Sequence, residues 1–360
     1  DILINSVNLE NANFNLNETN HDFFINLLNS DLSQNSLSIK NGNIFYKNSD
    51  DEVLFINKIK KMNYYYDLKE LKNIFISENE IFNIPYSFKS YKNKEKIFSL
   101  IRFDFLNLKI KNELDYNNKN KKGSSDLFYG KNKSTVNYEI SDNSFLFDYF
   151  DNSKNSNFFF KGRIELNPFF SKFTSETDEI DLSFLFNSNA IFVQLLKTEL
   201  FNHKNLNIDL SINSKAIKEY RNFTKLSLNS KIQEGLIDLD NTKFSWKNYV
   251  NFQLTDTLVY VSDNQLILDG KVVVDIINSN EIYKFMLTPK KNRLKIKKVI
   301  FDINYNVDQK IMNLKNISID NNKNKKVNQI LENLIFKKEV IQNKVYIKSV
   351  FNKAINAYAG

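Results

Sequence analysis

The alternation of apolar and polar residues is the feature that most constrains this chain. Between residues 206 and 212, and again between 299 and 307, every second residue is apolar. Shorter runs of the same kind lie at 106–110, 225–229 and 237–240. Because successive side chains of a strand point to opposite faces, each run predicts a strand with one apolar face. Antiparallel sheets tolerate a solvated face, so the chain is predicted to be mainly β, with a long antiparallel sheet.

Four of the seven glycines stand just before alternating runs. Gly42, Gly162, Gly235 and Gly270 are each followed, two and four residues later, by apolar residues. Glycine in this position predicts a turn or a bulge at the entry of a strand. The dipeptides Asn41-Gly42 and Asp269-Gly270 are typical of hairpin turns. The four copies are irregularly spaced, which argues against a solenoid of fixed period.

Helical patterns are few and short. Candidate helices lie at 22–28, 188–201, 327–336 and 344–358. The second has apolar residues spaced for one face of a helix. The strands therefore offer more apolar surface than these helices can cover. Either two sheets close on each other, or the sheet curls over itself, or the face stays open for a ligand.

Changes of pattern near residues 155 and 324 divide the chain into three segments. We expect a first β section over 1–155 and a second β section over 156–324, which contains the helix near 188–201. A helical tail is expected over 325–360.

Composition excludes several classes of site. The chain of 360 residues has no cysteine, so disulfides, zinc–thiolate sites and thiol nucleophiles are ruled out. No run approaches 18 apolar residues, the length that predicts a membrane-spanning helix. The net charge of +8 permits an anionic membrane or an acidic polymer as partner. The charges are spread along the chain, which disfavours nucleic acid.

Catalytic patterns are missing from the sequence. The two histidines, His21 and His203, have no neighbouring acid or serine that resembles a triad, and capping or surface roles are expected for both. No phosphate-binding glycine loop or metalloprotease motif occurs. The acidic clusters at 50–52 and 176–181 lack the order of a calcium loop. We predict no enzyme, no cofactor and no metal; a glycan-processing enzyme with two facing carboxylates remains a distant alternative.

One basic segment stands out. Lys291, Arg293, Lys295 and Lys297 share the parity of one strand face, and the parity of the apolar residues slips near Lys298, which predicts a bulge or a turn there. Such a face is typical of a solvated edge strand. It also suits anionic lipid head groups, each cation contributing about 1 kcal/mol near such a surface.

A succession of short motifs resembles the C-terminal part of AsmA-like proteins, relatives of TamB and YhdP in Gram-negative envelopes. The resemblance extends over roughly residues 37–320. The segments that carry it are 37–44, 160–164, 190–200, 205–209, 233–246 and 267–270.

The resemblance implies a fold, a location and a role. The fold would be a long curved antiparallel sheet that forms a U-shaped groove, with a few short helices. The body would lie in the periplasm, held to the inner membrane by a segment upstream of Asp1. Such proteins are thought to conduct phospholipid towards the outer membrane, without catalysis. Phospholipid and other envelope proteins are therefore the expected partners, and nucleic acid is not.

A physical argument supports the same role. Exposing the roughly 30 methylenes of a two-chain phospholipid to water costs on the order of 20 kcal/mol, so a carrier needs a continuous apolar track. Strands with one apolar face supply such a track. A structural or interaction β-sandwich of the envelope is the alternative, in which the same residues are ordinary core. The candidate groove residues are Ile164, Leu166, Leu206, Ile208, Leu210, Ile212, Phe301, Ile303 and Tyr305.

Overall fold

A computed structural model gives the architecture. The protein is mainly β, with 66% of residues in strands and 14% in helices, which confirms the fold class. Within the described residues there are 23 strands and four α-helices. The structure describes residues 6–17, 36–47, 51–115, 121–141, 144–151, 159–166, 169–182, 191–202, 206–218, 220–334, 336–337 and 343–359.

The elements follow one another along the chain with short connections. The strands are β1 (Ser6–Glu10), β2 (Asn13–Leu16), β3 (Ser36–Lys47), β4 (Val53–Asp67), β5 (Lys72–Ile81), β6 (Ile84–Asn93), β7 (Lys96–Phe103), β8 (Leu108–Asp115), β9 (Lys121–Tyr129), β10 (Asn132–Ser141), β11 (Ser144–Asp151), β12 (Phe159–Leu166), β13 (Phe169–Ile180), β14 (Asn207–Ile217), β15 (Phe223–Gln233), β16 (Leu236–Asp238), β17 (Lys243–Trp246), β18 (Val250–Ser262), β19 (Gln265–Ile276), β20 (Lys298–Asn306), β21 (Ile311–Ile319), β22 (Asn322–Lys323) and β23 (Phe336–Lys337). The helices are α1 (Ile191–Leu196), α2 (Ser279–Met286), α3 (Lys325–Glu332) and α4 (Lys344–Ala359), and 3-10 turns span Glu199–Asn202 and Lys290–Asn292.

The chain divides into two compact units. The first unit comprises residues 1–172 and 198–200, and the second unit comprises 173–197 and 201–360. No helix in the described part of the chain is long and apolar enough to cross a membrane.

The first unit is built on strands β3 to β12, each paired antiparallel with its neighbours along the chain. Its first two strands depart from the predicted antiparallel pattern, because β1 and β2 both run parallel to β3. Between them Asn11 has a φ of 55°, a conformation that asparagine tolerates better than most residues. Backbone hydrogen bonds from Asn11 to Lys40 and from Asn43 to Ala12 carry the chain past this kink along the same edge.

The second unit combines a meander with helices on one face. Strands β18 to β21 pair antiparallel in chain order, and β15 pairs with both β16 and β17. Three helices pack on β20 and β21 around the 1% exposed Phe336. The buried core comprises Tyr283, Ile296, Leu314, Ile317, Ile319, Val327, Leu331, Phe336, Val350 and Ala354.

The predicted helices are found in altered lengths. The pattern at 188–201 forms α1 and a separate 3-10 turn, and that at 327–336 ends at Glu332, before the short strand β23. The pattern at 344–358 is confirmed as α4, whereas the candidate at 22–28 lies outside the described residues. Helix α2 was not predicted; it begins where the Asn278 side chain accepts a hydrogen bond from the Glu281 amide.

Three of the four glycines lie inside strands and not at their entry, so the two predicted hairpin turns are wrong. Only Gly235 occupies a turn, with a φ of 78°. Gly270 lies opposite a bulge between Thr255 and Leu258, where an added Cβ would stand 2.6 Å from the Cα of Thr257. Glycine is needed there because another part of the backbone approaches closely, which the spacing of residues does not reveal.

One partly buried ion pair ties α1 to the meander. The Lys197 ammonium lies 2.7 Å from Asp308, whose other carboxylate oxygen accepts a hydrogen bond from the Leu266 amide at 2.7 Å. Burial raises the pKa of Asp308, but the hydrogen bonds with Lys197 and Leu266 outweigh it and hold this pKa below its ordinary value of 3.8.

Replacing Gly270 by alanine is expected to lower the free energy of unfolding of the second unit by about 1–3 kcal/mol, because the new methyl group overpacks against Thr257. Urea unfolding followed by fluorescence of Trp246, the single tryptophan, reads out this unit alone. The matched control is Ser262→Ala at the exposed end of β18, with an expected change within about 0.5 kcal/mol. Equal midpoints for both variants would contradict the steric argument.

The variant Asp308→Asn is expected to destabilise the second unit by about 1–3 kcal/mol at neutral pH, because the charged hydrogen bonds are weakened. A carboxyl whose pKa is lowered by folding stabilises the fold above its unfolded pKa and loses that contribution as pH falls through the folded pKa. The difference from the parent chain should therefore persist from pH 5 to 8 and shrink below 3.8. Trp246 fluorescence in urea at several pH values measures it, with the exposed turn variant Asp263→Asn as control. A difference that did not depend on pH would refute the ion-pair explanation.

Candidate functional site

The register of the first unit sorts its side chains onto two faces. Residues paired across an antiparallel ladder point to the same side. One such row runs through Phe88, Ile101, Ile110 and Leu127 on four successive strands. We call the side that carries this row the apolar face. Its apolar members on β6 to β12 are Tyr86, Phe88, Ile97, Ile101, Phe103, Leu108, Ile110, Leu114, Leu127, Tyr129, Val136, Tyr138, Ile140, Phe145, Phe147, Tyr149, Phe160 and Ile164.

The residues of the apolar face are covered only in part. Among the described strand residues from 85 to 166, none is fully buried, although a two-layer domain of this size would bury many. The described part of the first unit contains no α-helix, so no described helix packs against this sheet. The face thus presents a broad apolar surface, of the kind that marks a binding site.

A polar row crosses the apolar face and is satisfied within itself. Ser90 and Ser99 are 3.1 Å apart through their hydroxyls. Ser125 and the Tyr138 hydroxyl both donate to the Asn112 side chain, at 2.7 and 2.6 Å. Burial raises the pKa of Tyr138, with the Asn112 bond opposing it. With these groups paired to each other, the row adds little cost to covering the face with hydrocarbon.

Aromatic rings fill the two glycine positions of the apolar face. A Cβ on Gly123 would stand 2.3 Å from the Tyr138 ring, and one on Gly162 would stand 2.1 Å from the Phe147 ring. Each ring therefore lies flat over a cross-strand glycine. Tyr138 also stacks on Phe145 with ring centroids 4.9 Å apart. The result is a smooth aromatic surface across β9 to β12.

The opposite face carries most of the charge. Lys133 and Asp126 are 2.9 Å apart, Lys58 and Glu80 2.8 Å, and Lys96 contacts Glu113. Exposed pairs of this kind contribute roughly 0–1 kcal/mol to stability. Their main consequence is that this face stays hydrated. On the apolar face of β6 to β12, by contrast, the charged positions fall at strand ends: Lys92, Lys121 and Asp151.

The second unit holds an enclosed apolar site. A cavity of about 440 Å³ lies between the sheet and helices α2, α3 and α4, within the range of roughly 300–1,000 Å³ that is typical of small-molecule sites. Val274 and Phe301 line it from the strands, and Ile282, Leu331 and Ile355 from the helices. We call it the helix-covered cavity.

The groove residues expected from the sequence fall in several environments. Ile164 lies on the apolar face, and Leu166 ends β12 with its side chain outside the described residues. Phe301 lines the helix-covered cavity and Ile303 packs beside it. The remaining candidates lie in β14 or just before it, and in β20: Leu206, Ile208, Leu210 and Tyr305 are half-buried, and Ile212 is fully buried.

Most of the apolar face was not singled out from the sequence. Tyr86 and Phe88, for example, alternate with Pro85 and Ser87, and the same period runs through 97–103 and 134–140. The signal was therefore present as alternation. What the sequence did not reveal is that the apolar residues of these strands share one uncovered face.

The predicted basic strand is wrong. Lys291 lies in a 3-10 turn that begins after Pro289, and residues 293–297 have no regular structure, because strand β20 begins only at Lys298. Arg293 turns inward and donates from Nε to the Thr288 carbonyl at 2.9 Å. Lys295 and Lys297 are exposed on either side of the buried Ile296, so the four cations do not form one strand face.

The remaining polar candidates have structural partners or lie outside the described residues. His21 and His203 are not among the described residues. In the described part of the acidic cluster at 176–181, Asp178 lies 2.7 Å from Lys215 and Glu179 lies 3.5 Å from Arg221. No group of three metal-ligating side chains occurs among the described residues.

Comparison of the chain with models of known protein families and with curated proteins yields no match.

The variant Phe147→Ala is expected to loosen the pairing of β11 with β12, because it uncovers Gly162 and removes a ring from the apolar face. We expect a loss of about 1–3 kcal/mol in local stability. Hydrogen exchange of the backbone amides in these two strands measures it. Leu146→Ala, one residue away on the opposite face and 46% exposed, is the control and should change exchange little. Equal effects of the two variants would show that the ring over Gly162 contributes nothing.

Proposed function

We propose that this chain is a non-catalytic lipid-binding protein that shields acyl chains on the apolar face of the first unit. The observation that carries the proposal is that no described strand residue from 85 to 166 is fully buried, while every second one is apolar or aromatic over most of that span. A folded chain keeps such a surface in water at a cost, and a hydrocarbon guest removes that cost.

The magnitudes favour a lipid over a small polar ligand. Covering apolar surface contributes roughly 25 cal/mol per Å², so a few hundred Å² of aromatic and aliphatic face offset much of the cost of withdrawing an acyl chain from a membrane. The face spans seven strands, and adjacent strands lie about 4.8 Å apart, so its width is comparable with the length of an acyl chain. The polar row of Ser90, Ser99, Asn112 and Ser125 is internally bonded and does not specify a polar substrate.

The resemblance to AsmA-like proteins suggests the cellular setting of this activity. We propose a body in the periplasm that is anchored to the inner membrane in the full-length protein. There it would conduct phospholipid towards the outer membrane and contribute to its assembly, with other envelope proteins as partners. A hydrated, charged face opposite the apolar face suits a carrier that works in an aqueous space.

A structural or interaction protein of the envelope is the second candidate. The same half-buried face would suit a second protein layer, which would complete a sandwich with the sheet. The two candidates differ in what covers the face: hydrocarbon in one, polypeptide in the other.

The test uses a pair of variants on the same two strands. Ile110 and Leu127 are paired on the apolar face, and the adjacent pair Lys111 and Asp126 points to the opposite face. The double variant Ile110→Glu, Leu127→Glu should weaken binding of a fluorescent phospholipid at least tenfold, because it places two charges under the acyl chains. Gel filtration with the labelled lipid, and mass spectrometry of lipid that copurifies with the full chain, give the readout.

The control is the charge exchange Lys111→Glu, Asp126→Lys, which should leave binding unchanged. If both doubles bind alike, the apolar face is not the lipid site. If the parent chain carries no lipid and instead dimerises through this face, the interaction protein is the better description.

A further inference from the structure

We propose that the helix-covered cavity of the second unit is a separate binding site for one single-chain anionic amphiphile, such as a long-chain fatty acid. Its hydrocarbon would fill the cavity and its carboxylate would lie between Lys247 and Lys348. The proposal rests on the second unit alone and holds whether or not the apolar face of the first unit binds lipid.

The walls of the cavity select hydrocarbon. Strand residues such as Val250 and Val299 form one side, and helix residues such as Met286 and Phe351 form the other. Ser279 is the one lining residue without an apolar side chain. A polar ligand would lose its hydrogen bonds to water here without replacement, at a cost of several kcal/mol.

The mouth of the cavity is marked by two aromatic rings. Trp246 and Phe285 both line it, and their ring centroids are 5.0 Å apart in an edge-to-face arrangement. Phe285 is 44% exposed although it lines the cavity, so this end opens to solvent. A guest that enters beside these rings keeps one end in water.

Two cations flank this mouth. The Lys348 ammonium lies 4.3 Å from the centroid of the Phe285 ring, and the Lys247 ammonium lies 5.6 Å from that of Trp246. Among the described ion pairs neither lysine has a carboxylate partner, whereas the nearby Glu281 is paired with Lys284 at 2.6 Å. The lysines are therefore held at the rings by cation–π attraction and stay available to an anion.

The frame of the mouth is fixed by polar contacts between helices. Asn352 of α4 accepts from the Thr288 hydroxyl and donates to the Met286 carbonyl, both at 2.6 Å. Helix α4 is thereby held against the end of α2, and Lys348, one turn earlier in α4, is presented at the mouth. A preformed site of this kind binds without the cost of ordering a loop.

The number of chains follows from the size of the cavity. Its volume of about 440 Å³ lies towards the lower end of the range typical of small-molecule sites. That space suits one acyl chain and excludes the second chain of a phospholipid. Two lysines at one end match a carboxylate, which a neutral hydrocarbon would leave unpaired.

The test is a titration of the full chain with oleate below its micellar concentration, followed by the fluorescence of Trp246. Because Trp246 is the single tryptophan and lines the cavity, this signal does not report lipid on the first unit. We expect saturable binding of oleate and binding of uncharged methyl oleate at least tenfold weaker. The variant Ile110→Glu, Leu127→Glu in the first unit should bind oleate like the parent chain, so the two sites are tested separately.

Charge reversal tests the role of the lysines. Lys247→Glu, Lys348→Glu should weaken oleate at least tenfold and change methyl oleate little. The matched control Lys326→Glu, Lys353→Glu alters exposed lysines of α3 and α4 that do not line the cavity, and should behave like the parent chain. Equal loss in both doubles would overturn the assignment of the carboxylate to Lys247 and Lys348.

A filled cavity tests the hydrocarbon site. Ile355→Trp enlarges a half-buried lining residue and should abolish both ligands. If this second tryptophan disturbs the fold, the milder Val299→Phe serves the same purpose, with circular dichroism to confirm folding. Undiminished binding in a folded, filled variant, or no binding of oleate by the parent chain, would overturn the proposal.

Discussion

The pairing of antiparallel neighbours is the constraint on which the first unit depends. Each strand satisfies its backbone hydrogen bonds with the strands beside it, so the layer needs no second layer to pair its amides. The same register carries one face through every strand, from Phe88 to Leu127 and on to Ile164, without a change of side. An apolar pattern in each strand therefore becomes one continuous apolar surface.

The second unit solves the same problem by covering its sheet. Helices α3 and α4 bring Val327, Leu331 and Ala354 onto β20 and β21, and the residues there are fully buried. The cover is incomplete, because the aromatic and aliphatic side chains beneath α2 do not meet, and the helix-covered cavity is left between them. One chain thus contains an open apolar face and an enclosed apolar cavity, both of which suit hydrocarbon.

The charges of the molecule have a modest part in its stability and a larger part in its solubility. Most ion pairs are exposed, as between Lys215 and Asp178, and contribute little each. The pair of Lys197 and Asp308 is an exception, since both side chains are largely buried and Asp308 also binds a backbone amide. Lys247 and Lys348 have no described carboxylate partner and adjoin the mouth of a cavity, which is why they attract attention as ligand contacts.

The strands, their alternation and the mainly β class were determined by the sequence alone, because a period of two is a local property of neighbouring residues. The run at 206–212 and that at 299–307 lie largely in β14 and β20, as predicted. The tertiary structure decided what local pattern does not contain: that Gly270 accommodates a bulge of another strand, that Ile296 is buried and interrupts the basic segment, and which faces are covered. Whether an apolar face becomes core, open surface or cavity depends on elements far away in the chain, and spacing along the sequence carries no information about them.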